Sequence, residues 1–278
     1  MGKIGLALAG GGARGAYQIG AWKAFREYGI DDLITCYSGA SVGSLNAVLF
    51  AMGDYEKAKN TWLSLDKDSL FNLEKKIYKR LFKEKLNFFN KGIYNTKRLE
   101  RLMDETIDYS LLKDKEVYVA TTFLGEERRH FYDLLKTNFD HYFKSDKNMI
   151  KYQNLSELSE EHVRKSMLAS CAIPIAFKPI TIDQDTFFDG GLLDNTPYQP
   201  LKDAGCGKII IIDLFRMNFK RFRGEKDESL FFIHPKKSLR GILDFDKKRI
   251  RRRFELGYVD TVSFLELHAE ELREYAKS

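Results

Sequence analysis

The run Ile34-Thr35-Cys36-Tyr37-Ser38-Gly39-Ala40-Ser41-Val42-Gly43-Ser44-Leu45-Asn46-Ala47-Val48-Leu49-Phe50 constrains this chain more than any other stretch of it. It opens as a short β-rich segment, passes through Gly39-Ala40-Ser41-Val42-Gly43, and continues as an apolar, Ala- and Leu-containing helix. The order is strand, G-x-S-x-G, helix. A serine on a sharp strand-to-helix turn sits in a strained backbone conformation, and the residues two away must lack side chains for the chain to close. A helix starting at Ser41 also points unpaired N–H groups and its positive dipole end at whatever the hydroxyl meets. The same letters describe a glycine-rich βα turn with a helix-capping serine, so the nucleophile reading needs support from elsewhere in the chain.

Such support begins at the N-terminus. Lys3 to Ala9 reads as a buried strand, Gly10-Gly11-Gly12-Ala13-Arg14-Gly15 follows, and Ala16 to Tyr28 reads as a helix with Ile19, Trp22, Ala24 and Phe25 on its core face. Gly10, Gly12 and Gly15 satisfy the dinucleotide fingerprint. The loop could instead offer bare backbone N–H groups as an oxyanion hole. A dinucleotide site wants an acid at the carboxyl end of the next strand. Here Asp31 and Asp32 precede that strand, and its far end carries Gly39 and Ser41. Parallel strands in a βαβ unit end at the same sheet edge, which makes the glycine loop and Ser41 neighbours and favours the oxyanion reading.

Further elements follow in order. Leu63 to Leu86 has Leu73, Ile77, Tyr78, Leu81, Phe82 and Leu86 at helical spacing with lysines and Arg80 opposite, a basic amphipathic helix that suits a lid, a membrane-surface element or a solvated domain helix. Thr96 to Ile107 reads as a helix, Glu116 to Leu124 as a strand with Arg129 to Leu135 as a hairpin partner, and Asn138 to Ser159 as loop and short helix. His162 to Ala172 is helical, and Ile180 to Ile182 and Lys208 to Leu214 are strands. Thr186-Phe187-Phe188-Asp189-Gly190-Gly191 ends a hydrophobic strand on an aspartate, either a β-turn residue or a carboxylate held at the sheet edge. Asp194-Asn195-Thr196-Pro197 is a turn signal. A closing helix is expected from about Asp260 to Ala276.

Composition limits the remaining options. With 278 residues and 44% hydrophobic content, one large α/β domain is the economical reading of residues 1–278. No apolar run approaches the roughly 20 residues that cross a bilayer. Cys36, Cys171 and Cys206 have no metal-ligand spacing and read as buried thiols in a reducing compartment, so a cytoplasmic location is expected. The net charge of +6 is uneven: residues Arg216 to Arg253 hold 14 Lys/Arg against 5 Asp/Glu. That basic segment suits anionic lipid head groups, nucleic acid, or simply a solvated loop.

Four pieces, Gly10 to Gly15, Gly39 to Gly43, Ala169-Ser170-Cys171-Ala172-Ile173-Pro174 with Phe177, and Asp189-Gly190-Gly191, stand in an order that resembles the patatin-like phospholipase family, over residues 4–214. The resemblance implies a three-layer α/β/α fold with a mostly parallel central sheet, lipid acyl hydrolase activity and a Ser–Asp dyad. It matches Ser41 to the nucleophile, Asp189 to the dyad aspartate and Gly10, Gly11 and Gly12 to the oxyanion loop. It says nothing of residues 215–278. Arg14 is a candidate for a substrate phosphate or a brace for its own loop. No cofactor and no metal is expected. The expected partners are a lipid or lysolipid substrate and peripheral contact with an anionic membrane surface, with no nucleic acid. An aspartate of ordinary pKa, near 3.9, is a poor base for a serine hydroxyl at neutral pH. A third member is therefore sought in His234 or His268, both in surface-like surroundings. The competing reading is a membrane-associated regulatory protein that keeps the fold without turnover.

Overall fold

The structure is a computed structural model, and it describes residues 1–65, 96–123, 149–172, 177–215 and 227–278. The amphipathic segment after Leu65, the hairpin at Arg129 to Leu135, Ile173 to Ala176 and the basic stretch 216–226 lie outside the described residues.

β1 (Ile4–Leu8) is buried throughout, as a strand covered on both faces must be. After it come α1 (Ala16–Glu27), β2 (Ile34–Ala40), α2 (Val42–Met52), α3 (Tyr55–Ser64), α4 (Lys97–Thr106) and β3 (Glu116–Phe123). Then follow β4 (Ile150–Asn154), α5 (Glu160–Ser170), β5 (Ile180–Ile182), β6 (Asp185–Asp189) and α6 (Gln199–Asp203). β7 (Lys208–Ile212), β8 (Leu230–Ile233) and α7 (Lys247–Lys277) complete the chain. The strands form one sheet in the order β5-β6-β3-β2-β1-β7-β8, with β4 added to β3. From β3 to β8 every neighbour on that path is parallel, and β4, β5 and β6 run antiparallel at the other end.

Alternate residues of the central strands serve opposite layers. Ile4, Leu6, Leu8, Ile210 and Ile212 pack with α1, α2, α5 and α7, while Ala7, Cys36, Ile209 and Ile211 pack with Leu201 and Cys206 around α6. The result is the α/β/α layering expected, with one thick helical layer and one thin one.

Register at β3 positions the rest. Gly39 and Ala40 of β2 pair with Val119 and Ala120, and the next residue of β3, Thr121, pairs with Asp189 of β6. β4 occupies the opposite edge of β3 from Tyr118 to Thr122. β6 therefore takes over the edge that β2 vacates, and the end of β6 abuts the residue that follows Ala40.

Five elements depart from the sequence reading: the helices α3 and α6 have no counterpart in it, and β4, β8 and α7 differ from it. β4 arises inside the stretch expected to be loop and short helix; Ile150-Lys151-Tyr152-Gln153-Asn154 is half-exposed and alternates only weakly, as an end-of-sheet strand can. β8 lies within the basic segment, its brief Leu230-Phe231-Phe232-Ile233 run overshadowed by the surrounding charges. α7 begins at Lys247 instead of Asp260, because its buried stripe includes Arg253, Gly257 and Asp260, which interrupt an apolar periodicity.

α7 lies on α1 at backbone contact. A Cβ on Gly20 would fall 1.8 Å from the Phe254 carbonyl oxygen, and one on Gly257 would fall 1.9 Å from that of Tyr17. Tyr17 donates to Asp260 across the same junction at 3.0 Å. Gly257→Ala must push the helices apart, with an expected loss of about 1–3 kcal/mol read as a lowered urea midpoint. An unchanged midpoint would mean that the two helices do not touch there.

Candidate active site

Ser41 is where strand geometry ends and helix geometry begins. Its backbone sits at φ 54 and ψ −129, a region that costs a non-glycine residue on the order of 1–3 kcal/mol. The surroundings hold it there. Its N–H donates to Ser170 Oγ at 2.9 Å, and its carbonyl accepts from the Ser44 N–H at 2.9 Å and the Ser44 hydroxyl at 2.6 Å. A Cβ on Gly39 would stand 2.2 Å from the Gly43 carbonyl oxygen, and one on Gly43 would stand 2.1 Å from that of Leu8. This is the steric reason for glycine on both sides of the serine. The helix itself starts at Val42, with Ser41 in the capping position.

Asp189 closes β6 beside it. The Asp189 N–H donates to the Ala172 carbonyl at 3.2 Å, its carbonyl accepts from Thr122 Oγ1 at 2.9 Å, and its carboxylate accepts from the Gly191 N–H at 2.7 Å. Only 4% of the residue is exposed. Burial raises its carboxyl to about 7, against a smaller downward pull from hydrogen bonding with Ser41 and the Gly191 N–H. The Cys171 thiol is pushed up chiefly by its own burial and then by the charge of Asp189. Ala172 and Ser170 belong to one short stretch, so the end of α5 and the residues just past it anchor both Ser41 and Asp189.

The glycine loop crosses the carboxyl ends of β1 and β2, adjacent to the serine: a Cβ on Gly10 would come within 3.0 Å of Ser41 Cβ. The Gly10 N–H donates to the Asn195 carbonyl at 3.1 Å, and Asn195 Nδ2 donates back to the Gly10 carbonyl at 3.3 Å. Among the described residues the Gly11 and Gly12 N–H groups have no hydrogen-bond partner. Behind the loop runs a buried polar relay. Trp62 Nε1 donates to Asn46 Oδ1 at 2.8 Å, Asn46 Nδ2 to Gln18 Oε1 at 2.7 Å and Gln18 Nε2 to the Ala9 carbonyl at 2.9 Å. Arg253, 2% exposed, donates through Nη1 to the Ala13 carbonyl at 3.2 Å, and also to the carbonyls of Leu239, Gly241 and Asp244. Neither the relay nor Arg253 was foreseen from the sequence. Polar residues scattered along helices give no sign of sharing one burial site.

Arg14 braces its surroundings. Its Nε donates to the Arg240 carbonyl at 2.7 Å, Nη1 donates to that of Leu214 at 3.4 Å, and the guanidinium lies 4.5 Å over the Phe215 ring. Of the two histidines, His268 sits on α7 against Phe231 and Phe264 and beside Glu271. His234 follows β8, three strands from β2 in the sheet order and hence roughly 14 Å away at the usual strand spacing. Neither is among the groups acting on the Asp189 carboxyl.

An apolar cleft of ≈ 930 Å³, open to solvent, leads away from Ser41. Gly12, Ser41 and Val42 stand in its wall together with Leu45, Leu49, Trp62, Leu102, Met103, Ile107, Phe177 and Leu243.

A family model described as patatin-like phospholipase matches residues 6–202. Lysophospholipase NTE1 of Cryptococcus neoformans var. neoformans serotype D (strain JEC21) is 27% identical over 216 residues, 76% of this chain and 11% of that protein. Lysophospholipase NTE1 of Eremothecium gossypii is 28% identical over 217 residues, 76% of this chain and 12% of that protein. The chain thus spans about a ninth of the length of the curated relatives it matches. Among solved structures, VipD from Legionella pneumophila superposes with a TM-score of 0.53 at 14% identity, covering 96% of this chain and 67% of that one, a likeness of fold.

The raised carboxyl of Asp189 has a consequence for stability. A folded-state pKa of about 7 against an ordinary 3.8 means that the folded protein keeps a proton that the unfolded chain has lost. Stability therefore falls as pH rises through that window, and the full cost is reached above about 7. Asp189→Asn removes the titration, so its gain in Tm over the wild type is expected to grow from pH 4 to pH 8. A pH-independent difference would show that the carboxyl titrates normally.

Proposed function

Because the chain belongs to the patatin-like phospholipase family, we propose that it hydrolyses carboxylic esters of lipids through an acyl-serine intermediate on a Ser41–Asp189 dyad. The observation that carries this reading is the buried carboxyl at about 7 beside a strained serine at the wall of an apolar cleft. An aspartate of ordinary pKa is a weak partner for a serine hydroxyl. One raised toward neutrality is well matched to accept and return a proton at working pH, and this removes the need for a histidine.

The proposed steps are these. Asp189 carboxylate accepts the Ser41 hydroxyl proton as Oγ attacks the ester carbonyl carbon. The resulting oxyanion is held by the N–H groups of Gly11 and Gly12, joined by that of Val42 at the positive end of α2. Gly10 supports the loop through its bonds to Asn195. Collapse of the tetrahedral intermediate breaks the ester C–O bond, and the leaving alcohol takes the proton from Asp189. Water then attacks the acyl-serine, again giving its proton to Asp189, and the second collapse returns a proton to Ser41 and releases the carboxylic acid.

The cleft supports an aliphatic acyl chain as the group retained on the serine, since burying methylenes there gains about 0.8 kcal/mol each. A lysophospholipid, the substrate named for the two fungal relatives, is the first candidate. Arg14 acts here as a brace between its loop and residues 214 and 240.

Ser41→Ala and Asp189→Asn are each expected to lower kcat/KM on a short-chain chromogenic ester by at least about a thousandfold. A fluorophosphonate probe should label the wild type at Ser41. An unlabelled but folded wild type would instead favour a fold kept without turnover. The kcat/KM profile should rise through about pH 7 as Asp189 loses its proton and then level off; an inflection near 4 would mean that Asp189 titrates as an ordinary aspartate, and a profile flat through both regions would remove it as the base. Met103→Trp, which fills the cleft, should shift preference toward shorter acyl chains with kcat on the shortest ester retained.

A further inference from the structure

Behind the segment that holds the glycine loop lies a second hollow, of ≈ 600 Å³ and open to solvent. Its wall carries Ser238, Arg240, Arg249, Arg252 and Arg253. Four guanidiniums around one concavity repel one another, and an isolated surface gains nothing from bringing them together. The only carboxylate ion-paired to them among the described residues is Asp244, which binds Arg249. Asp246 caps α7, accepting the Arg249 N–H at 3.1 Å. With both aspartates counted, the hollow keeps an excess of two positive charges at the first turns of a 31-residue helix, whose dipole adds to them.

The four arginines are not equivalent. Arg253 spends its N–H groups on backbone carbonyls and supplies charge alone. Its pKa is lowered to about 10, first by burial and then by the charges of Arg14 and Arg249, with Asp246 opposing them. Arg240 and Arg252 are exposed and have no acidic partner among the described residues. Arg240 is held at φ 61, outside the usual range for a side-chain-bearing residue. Its N–H donates to Ser238 Oγ at 3.2 Å, and its carbonyl is fixed by Arg14 Nε at 2.7 Å.

We infer that this hollow binds a phosphate group, gripped by Arg240 and Arg252 with Arg249 and Arg253 as flanking charge. Planar guanidinium forks fit tetrahedral phosphate oxygens two at a time, and phosphate carries the charge that the excess requires. The phosphate belongs either to the head group of an anionic lipid or to a soluble phosphate ester. Both fit the location. Ile242 and Leu243, exposed by 37% and 43%, follow Arg240 after Gly241, and Leu243 also lines the cleft beside Ser41. A phosphate in the hollow therefore sits one short turn from the cleft that leads to the serine. The inference does not depend on Ser41 acting as a nucleophile.

The test uses the whole protein with two probes: inorganic phosphate followed by calorimetry, and sedimentation with phosphatidylcholine vesicles with or without phosphatidic acid. Two variants lose the same charge, Arg240→Gln/Arg252→Gln inside the hollow and Lys236→Gln/Lys237→Gln outside it. Binding in either arm is expected to weaken at least about tenfold in the arginine variant and less than about twofold in the lysine variant, with Tm and short-chain esterase turnover retained in both. Binding of inorganic phosphate identifies a soluble ligand as sufficient; binding only to acidic vesicles identifies a lipid head group. Equal weakening in the two variants would reduce the effect to overall charge, and no wild-type binding in either arm would likewise overturn the assignment.

Discussion

One edge of β3 is shared by two strands. β2 pairs along it as far as Ala120 and stops, and β6 begins pairing at Thr121 from the opposite direction. A serine one residue past the end of β2 and an aspartate at the end of β6 then have no choice but to be neighbours. A slip of one residue in either ladder would turn the side chains to the other face of the sheet and separate them. The adjacency of Ser41 and Asp189 is thus a property of hydrogen-bonded register, and loops add only the last adjustment. The carboxyl also becomes unusual through this placement, because the junction of three strands and a helix leaves it almost no water.

The second requirement is a rigid glycine loop. Bare backbone gives free N–H groups but also great conformational freedom, and the protein restrains it from several directions. Asn195 holds Gly10, Gln18 holds the carbonyl of Ala9, Asn46 holds that of Gly15, and Arg253 holds that of Ala13. Arg253 reaches the loop from a helix more than 230 residues further along the chain. A buried guanidinium is tolerable only when its donors are satisfied, and here carbonyls from residues 239, 241 and 244 join that of Ala13. The C-terminal helix is thereby built into the site.

What could be read directly from the chain was what repeats locally. Continuous apolar runs announced β1 and β7, a β-rich run announced β2, and glycines flanking Ser41 announced a tight turn, since all of these depend on neighbours a few residues away. The partnership of Ser41 with Asp189 became legible only through the order of several short motifs. Ser170 as an anchor, the Trp62–Asn46–Gln18 relay and the reach of Arg253 were invisible, because each is a polar residue whose value depends on a distant backbone atom. The basicity of Asp189 was out of reach for the same reason: sequence supplies the carboxyl, and packing alone decides how much water it sees. α7 was read too short because the arginine and aspartate in its buried stripe resemble surface residues until their partners are known.

The indole of Trp62 occupies two roles at once. Its ring is part of the wall of the apolar cleft, and its N–H is the first donor in a chain of hydrogen bonds that ends on the carbonyl before the glycines. Pressure on one end of such a chain is felt at the other. The packing of the cleft wall and the placement of the glycine loop are therefore linked mechanically, through side chains that belong to neither strand nor loop.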